Sequence, residues 1–121
     1  MAGKFPLYTD ADIRGSLVKG LRRRGWDVVR AVEMFPEGTE DEVHFARAAE
    51  LGRVFVMNDR PLKRIVNRWL QEGRRFTGVV TWLQVHNRRM SDGDLLRKFE
   101  DLAAKDVPFD PAYPVVHFKP D

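Results

Sequence analysis

Four aspartates fall close to the ends of predicted strands, where carboxylates can take part in catalysis. Asp10 and Asp12 follow the first predicted strand, Asp41 lies in the first turn of the helix after the second, and Asp59 follows the third. In an open parallel sheet the carboxyl ends of the strands meet at one edge, where ligands bind. Carboxylates held together repel one another until a cation neutralises them, and Mg²⁺ and Mn²⁺ prefer oxygen ligands. The four acids therefore predict a site for Mg²⁺ or Mn²⁺ at this edge.

Each of these acids also has a structural interpretation. Asp10 or Asp12 can cap the first helix, and Asp41 can complement a helix dipole. Asp59 can cap the helix that Pro61 opens. These separate roles explain less well why three distant segments all place an acid at the same predicted edge. The metal site and the capping roles both remain open at this point.

The hydrophobic pattern alternates between strand-like and helix-like segments along the chain. Thr39 and Glu42 have the spacing of a capping box, which predicts a helix over residues 39–51, and Ser91 is a second predicted cap. Repeated strand–helix units imply right-handed crossovers and a mainly parallel sheet. We therefore predict a single α/β domain over residues 1–121, a three-layer α/β/α fold with four to five strands. The predicted strands cover residues 5–9, 27–34, 54–57, 79–83 and 115–118, the last of them at an edge.

Composition excludes several classes of protein. The chain has 121 residues, of which 43% are hydrophobic and 32% are charged, as in globular proteins. It has no cysteine, which excludes disulfides, cysteine-bound zinc, iron–sulfur clusters and thiol nucleophiles. No apolar run approaches the roughly 20 residues that span a bilayer, so we expect a cytoplasmic protein with no membrane partner. His44, His86 and His117 lack ligand spacing, and we expect ordinary core or surface histidines.

Basic residues are unevenly distributed, although the formal net charge is only +3. Such clusters attract the phosphates of a nucleic acid, but they are also typical of solvated helix faces. Both interpretations stay open on charge alone. The clusters are Arg22 to Arg24, the six basic residues Arg60, Lys63, Arg64, Arg68, Arg74 and Arg75, and the pair Arg88 and Arg89.

Four segments stand in the order found in small bacterial PIN-like proteins. They are LYTDADI at residues 7–13, LRRRGWDVV at 21–29, GTEDE at 38–42 and GRVFVMND at 52–59. The chain thus resembles this family over roughly residues 5–85, and the family is similar to the nuclease toxins of toxin–antitoxin pairs. The resemblance implies a PIN-like fold, a metal-dependent ribonuclease acting on RNA, and an antitoxin protein or a homodimer as partner.

The resemblance also assigns roles to the acids. Asp10 and Asp59 would bind Mg²⁺ or Mn²⁺ directly, and Asp41 would complete the shell or hold a metal-bound water. Asp12 would orient the attacking water, and Arg14 or Arg60 would contact a substrate phosphate. By this resemblance, the catalytic set is Asp10, Asp12, Asp41 and Asp59, with Arg14 and Arg60 binding substrate.

The chain departs from the family pattern after the third strand. Family members usually carry threonine-x-aspartate-x-aspartate-phenylalanine there, whereas this chain has Met57 for the threonine and Pro61 for the second aspartate. One acidic position is therefore missing. Either Asp12 substitutes for it, or the site is weakened or dead, which leaves a catalytically inactive PIN-like module that binds RNA or a protein as the alternative.

A receiver-like phosphoacceptor domain is a third possibility. It too has an acid pair after the first strand and an acid after the third, and Thr81 and Lys119 end the fourth and fifth predicted strands. The acid pair of a receiver is normally adjacent, whereas Ala11 separates the two acids here. This spacing makes the receiver the least favoured of the three interpretations.

Overall fold

Strands and helices alternate along residues 3–58 and 62–121, which are the residues that a computed structural model of the chain describes. The strands are β1 (Leu7–Thr9), β2 (Val28–Arg30), β3 (Val54–Asn58), β4 (Val79–Trp82) and β5 (Val115–Phe118). The helices are α1 (Gly15–Arg23), α2 (Ala31–Met34), α3 (Asp41–Glu50), α4 (Leu62–Gln71) and α5 (Asp92–Ala103), with one 3₁₀ turn at Gln84–His86. Among the described helices, none is long and apolar enough to cross a bilayer.

The strands form one five-stranded sheet in the order β2-β1-β3-β4-β5, and every pair is parallel. The predicted parallel sheet of a three-layer α/β/α fold is thus confirmed, with β5 at an edge as expected. Strand β1 lies between β2 and β3. From β1 the chain first adds β2 on one side and then crosses to add β3, β4 and β5 on the other, so the direction of strand addition reverses between β1 and β3. In open parallel sheets, such a reversal opens a crevice outside the carboxyl ends of the two strands, where ligands bind.

Two hydrophobic clusters hold the layers together, one on each face of the sheet. Helices α1 and α5 cover one face, and α3 and α4 cover the other. Strand β3 contributes to both, with Val54 and Val56 in the first cluster and Phe55 and Met57 in the second. Burial on both faces explains why this strand is a continuous apolar run.

The segment after β4 completes the first of these clusters. Phe99 of α5 packs edge-on against Trp26, with ring centroids 5.7 Å apart. The Trp26 Nε1–H donates a hydrogen bond of 3.1 Å to Glu100 Oε1. Before β5, the Phe109 ring lies so close to Gly78 that a Cβ there would approach it to 2.8 Å. Residues beyond 80 are therefore part of the core.

The second predicted strand, residues 27–34, is wrong in its latter half. The strand ends at Arg30, and α2 follows directly. The Arg30 backbone N–H donates a 2.9 Å hydrogen bond to the Glu33 carboxylate, which favours a turn of helix over an extended chain. Val32 and Met34 are exposed, so the apolar residues after Arg30, Val32 among the valines that suggested a strand, do not reflect burial in the sheet.

The capping box predicted at Thr39 is also wrong, and α3 begins at Asp41 instead. The Thr39 hydroxyl donates a 2.6 Å hydrogen bond to the Pro36 carbonyl, which stabilises the preceding turn. The Glu42 carboxylate forms an ion pair with Arg68 of α4. Both side chains of the predicted box therefore have other partners.

Candidate active site

Asp10 lies where β1 ends, beside the point at which the chain order of the sheet reverses. Its backbone N–H donates a 2.9 Å hydrogen bond to the Val56 carbonyl of β3. Its exposed fraction is 6%, and in residues 3–58 and 62–121 it is the one carboxylate among the buried side chains. Burying a charge is costly unless it is paired or bound to a cation. The position of Asp10 thus favours a functional role.

The pKa of Asp10 indicates which charges surround it. Burial raises this pKa above the ordinary carboxyl value, and the negative charges of Asp41 and Asp12 raise it further. The Ala11 backbone amide and the His44 ring act in the opposite direction. The fold therefore brings Asp12 and Asp41, from two different segments, within electrostatic reach of Asp10.

A hydrogen bond between β1 and α3 fixes this arrangement. The Tyr8 hydroxyl and His44 Nδ1 are 3.0 Å apart, and both side chains are buried. Tyr8 and Asp10 are two residues apart, while half-buried Asp41 opens α3 one turn before His44. Burial, and after it the charge of Asp10, raises the pKa of Tyr8. His44 is thus a core histidine with a partner, as expected, and its bond holds α3 beside β1.

At the same edge of the sheet lie buried oxygen atoms that have no hydrogen-bond partner among residues 3–58 and 62–121. They are Thr9 Oγ1, Asn58 Oδ1 and Thr81 Oγ1, at or near the carboxyl ends of β1, β3 and β4. An unsatisfied buried polar group costs roughly 1–3 kcal/mol, so such groups are retained where they have a use. Sequence reasoning missed Thr9 and Asn58. The available signal was that the apolar runs of β1 and β3 each end in a polar residue.

The remaining predicted site residues are placed as follows. Asp59 and Arg60 lie outside the described residues, so their roles stay predictions. The Arg14 guanidinium donates hydrogen bonds of 3.0 and 3.1 Å to the Asn87 and Met90 carbonyls. It also forms a 2.9 Å ion pair with Asp92. These bonds join the β1–α1 connection to the segment after β4, and contact of Arg14 with substrate stays a prediction.

The described residues of this edge suit a hard divalent cation. Mg²⁺ is usually held by one or two carboxylates, with water and substrate oxygens completing its shell. Asp10 supplies a buried carboxylate, and Asn58 Oδ1, at the end of the neighbouring strand, is an oxygen to which no described residue donates a hydrogen bond. Within the described ranges, no three histidine, cysteine, aspartate or glutamate side chains converge into a complete metal site. The donors present therefore fit a site that water and substrate complete.

A cavity of about 500 Å³ lies near the amino ends of β4 and β5, away from the carboxyl ends of the strands. Its described lining contains arginine and aromatic side chains but no carboxylate, so it lacks the groups for acid–base or metal chemistry. The described carboxylate that is buried, Asp10, lies instead at the carboxyl ends of the strands. The cavity is lined by Leu70, Gly73, Arg74, Arg75, Phe76, Thr77, Phe109, Pro111 and Pro114.

Comparison with known proteins gives one match. A family model described as a PIN like domain matches residues 6–80, more than half of the chain. The matched range contains Asp10, Asp41 and Asp59 and ends within β4. No curated protein and no solved structure matches the chain significantly.

This match also bears on the receiver-like alternative. The strand order β2-β1-β3-β4-β5 is shared with flavodoxin-like sheets, to which receivers belong, so topology alone does not separate the two. The family match supports the PIN-like interpretation over the receiver. PIN domains generally use divalent metal ions, which agrees with the oxygen donors at this edge.

Proposed function

The chain belongs to the PIN-like domain family, a nuclease-type family, and we propose that it is a Mg²⁺- or Mn²⁺-dependent ribonuclease. The observation that carries the proposal is Asp10, a buried carboxylate at the reversal point of the sheet. Asp12 and Asp41 lie within electrostatic reach of it. Helix capping does not explain why a carboxylate is buried here, whereas a bound cation that completes its shell with water and substrate does.

Each side chain has a part in the proposed reaction. Asp10 and Asp59 hold the ion, and Asp41, which the Tyr8–His44 bond keeps beside β1, completes its surroundings. When bound, such an ion lowers the pKa of a water and offsets charge on phosphate oxygens. Asp12 orients the attacking water. Arg14 and Arg60 contact phosphate in this scheme.

The direct test is cleavage of a labelled single-stranded RNA by the purified protein. We expect cleavage with Mn²⁺ or Mg²⁺ and none in EDTA. The carboxylates carry the same negative charge as the phosphate, so the metal ion is needed to offset the charge that develops on the phosphate oxygens. A single-stranded DNA of the same sequence is the matched control for the RNA specificity. A protein that cuts RNA with neither metal would refute the proposal.

Metal binding should also stabilise the fold. An ion that binds the native edge but not the unfolded chain adds about 2.7 kcal/mol at 100 times its dissociation constant. Millimolar Mn²⁺ is therefore expected to raise the melting temperature, and Asp10→Asn should remove most of that rise. Thermal melting with and without Mn²⁺ measures both effects. Equal melting of the wild type in Mn²⁺ and EDTA would count against a metal site.

Without metal, the charge of Asp10 should destabilise the protein. A carboxyl whose pKa is raised by folding contributes stability below its unfolded pKa, and this contribution is lost as pH rises through the folded pKa. Asp10→Asn removes the charge. In EDTA, the melting temperature of the variant minus that of wild type should therefore be more positive at pH 7 than at pH 4. Thermal melting at both pH values tests this expectation. A stability difference between variant and wild type that is no more favourable to the variant at pH 7 than at pH 4 would contradict it.

A second candidate function is an inactive PIN-like module that binds RNA or a protein. It is favoured by one observation, the replacement of the usual threonine and second aspartate by Met57 and Pro61. RNA binding that survives in EDTA, with no cleavage under any metal, would select it. An antitoxin partner and a homodimer are further proposals of the resemblance, and the mass of the purified protein in solution tests the homodimer.

A further inference from the structure

The residues that directly follow β4 form an ordered segment, Leu83 to Met90, which we call the post-β4 segment. Backbone hydrogen bonds of 2.9–3.0 Å coil it through the 3₁₀ turn. The Arg14 guanidinium holds it at two carbonyl oxygens. Trp82 Nε1–H donates a 3.1 Å hydrogen bond to Asn87 Oδ1. The backbone of this segment is thus held in place at several points.

The post-β4 segment lies at the same edge of the sheet as Asp10. It leaves β4 after Trp82, which pairs in register with Asn58 of β3. Strands β1 and β4 flank β3, so their carboxyl ends are two strand spacings apart, roughly 10 Å. The segment lies outside residues 6–80, the range matched by the family model. The segment therefore lies beside the proposed site without being part of the family match.

The post-β4 segment carries two arginines, Arg88 and Arg89, for which the described residues supply no ion-pair partner. Arg88 and Arg89 are exposed, and neither forms an ion pair with a carboxylate in the described part of the chain. The next acid along the chain, Asp92, pairs with Arg14. The Asp94 carboxylate accepts a hydrogen bond from the Ser91 backbone N–H and also forms an ion pair with Arg97 of α5. The arginine pair is thus available to an external anion.

We propose that the post-β4 segment binds the RNA strand beside the bond to be cut, with Arg88 and Arg89 on consecutive phosphates. This inference rests on the proposed function, since it assigns a path to the same substrate. A guanidinium presents paired donors that match phosphate oxygens. An RNA that reaches Asp10 carries further phosphates on both sides of the cut. Val85, whose exposed fraction is 71%, offers an apolar surface to a sugar or base.

The test measures RNA binding separately from cleavage. The background is Asp10→Asn, which leaves the probe intact, and the probe is a labelled single-stranded RNA of about 12 nucleotides. Arg88→Ala with Arg89→Ala should weaken binding about tenfold at roughly 50 mM salt and reduce the salt slope by about 1.4, or 0.7 for each phosphate contact. Arg23→Ala with Arg24→Ala is the matched control. Those arginines are also exposed but lie at the far end of α1, so binding should change less than about twofold.

The outcomes separate this inference from the proposed function. If wild type cuts RNA but the Arg88/Arg89 variant binds as tightly as its parent, the segment is not the RNA path and the nuclease proposal stands. If both arginine pairs weaken binding equally, the effect is general charge and the inference fails. If only the Arg88/Arg89 pair matters while wild type cuts nothing, the segment binds RNA and the nuclease proposal fails. A polyglutamate peptide serves as a second probe. If the Arg88/Arg89 variant binds RNA normally but no longer binds this peptide, the surface binds an acidic protein and the inference fails.

Discussion

Asp10→Asn is expected to reduce Mn²⁺-dependent cleavage of single-stranded RNA by about 100-fold or more. Loss of even an outer partner of a metal ligand costs metal sites roughly 10–100-fold, so loss of a charged ligand should cost at least as much. Asparagine has nearly the same shape as aspartate, so the fold around β1 is preserved. Initial rates of cleavage at saturating Mn²⁺, together with a melting curve for each variant, measure the effect.

Three further substitutions make this prediction specific. Asp59→Asn should also abolish cleavage, and Asp41→Asn should weaken it. Asp27→Asn is the control and should leave cleavage unchanged. Asp27 pairs with Arg53 at 3.0 Å, and both residues lie at the amino ends of their strands, away from Asp10. Cleavage that survives in both Asp10→Asn and Asp59→Asn would show that the activity comes from another site or from a contaminant.

Phe45→Ala is expected to lower the free energy of unfolding by about 3–5 kcal/mol, the usual cost of truncating a buried phenylalanine. Phe45 of α3 is 1% exposed, and its ring centroid lies 4.6 Å from that of Trp69 and 4.9 Å from that of Phe76. The cavity left behind would remove the contacts that hold α3 on the sheet. Because α3 carries Asp41, the rate of cleavage should fall as well. Urea denaturation followed by tryptophan fluorescence measures the loss.

Val43→Ala provides the comparison for this variant. Val43 lies two residues before Phe45 in the same helix but is 42% exposed. Substitutions of exposed helix residues usually change stability by less than about 0.5 kcal/mol. A loss at Phe45 no larger than the loss at Val43 would mean that the aromatic cluster does not hold α3 in place.

The parallel sheet and the position of Asp10 could be predicted from the sequence for physical reasons. A strand such as β3, buried on both faces, leaves a continuous apolar run, and a parallel sheet places all carboxyl ends at one edge. The Ser91 cap was also correct, since Ser91 Oγ accepts a 3.1 Å hydrogen bond from the Asp94 backbone N–H. These features depend on local pattern and topology, which the sequence contains directly.

Features that depend on distant partners could not be predicted in the same way. Glu42 belonged by spacing to a capping box, but it pairs with Arg68, which is remote in the sequence. Contact of Arg14 with a substrate phosphate was predicted because Arg14 lies near the acids in the sequence. Its hydrogen bonds to the Asn87 and Met90 carbonyls depend on the fold, which brings residues 14 and 87–90 together. The burial of Asn58 Oδ1, with no donor among the described residues, likewise becomes visible only in the folded chain.

The packing of α5 has a consequence for how the protein is made. Residues 6–80 leave the ribosome before α5, yet Phe99 and Leu102 of α5 belong to the cluster that covers one face of the sheet. Until α5 emerges, the part of this cluster that packs against α5 lacks its cover. Apolar surface of this extent stabilises a domain only when it is buried, so stable folding must wait for α5. The edge that carries Asp10 is therefore expected to take shape late in synthesis, when nearly all of the described chain is available.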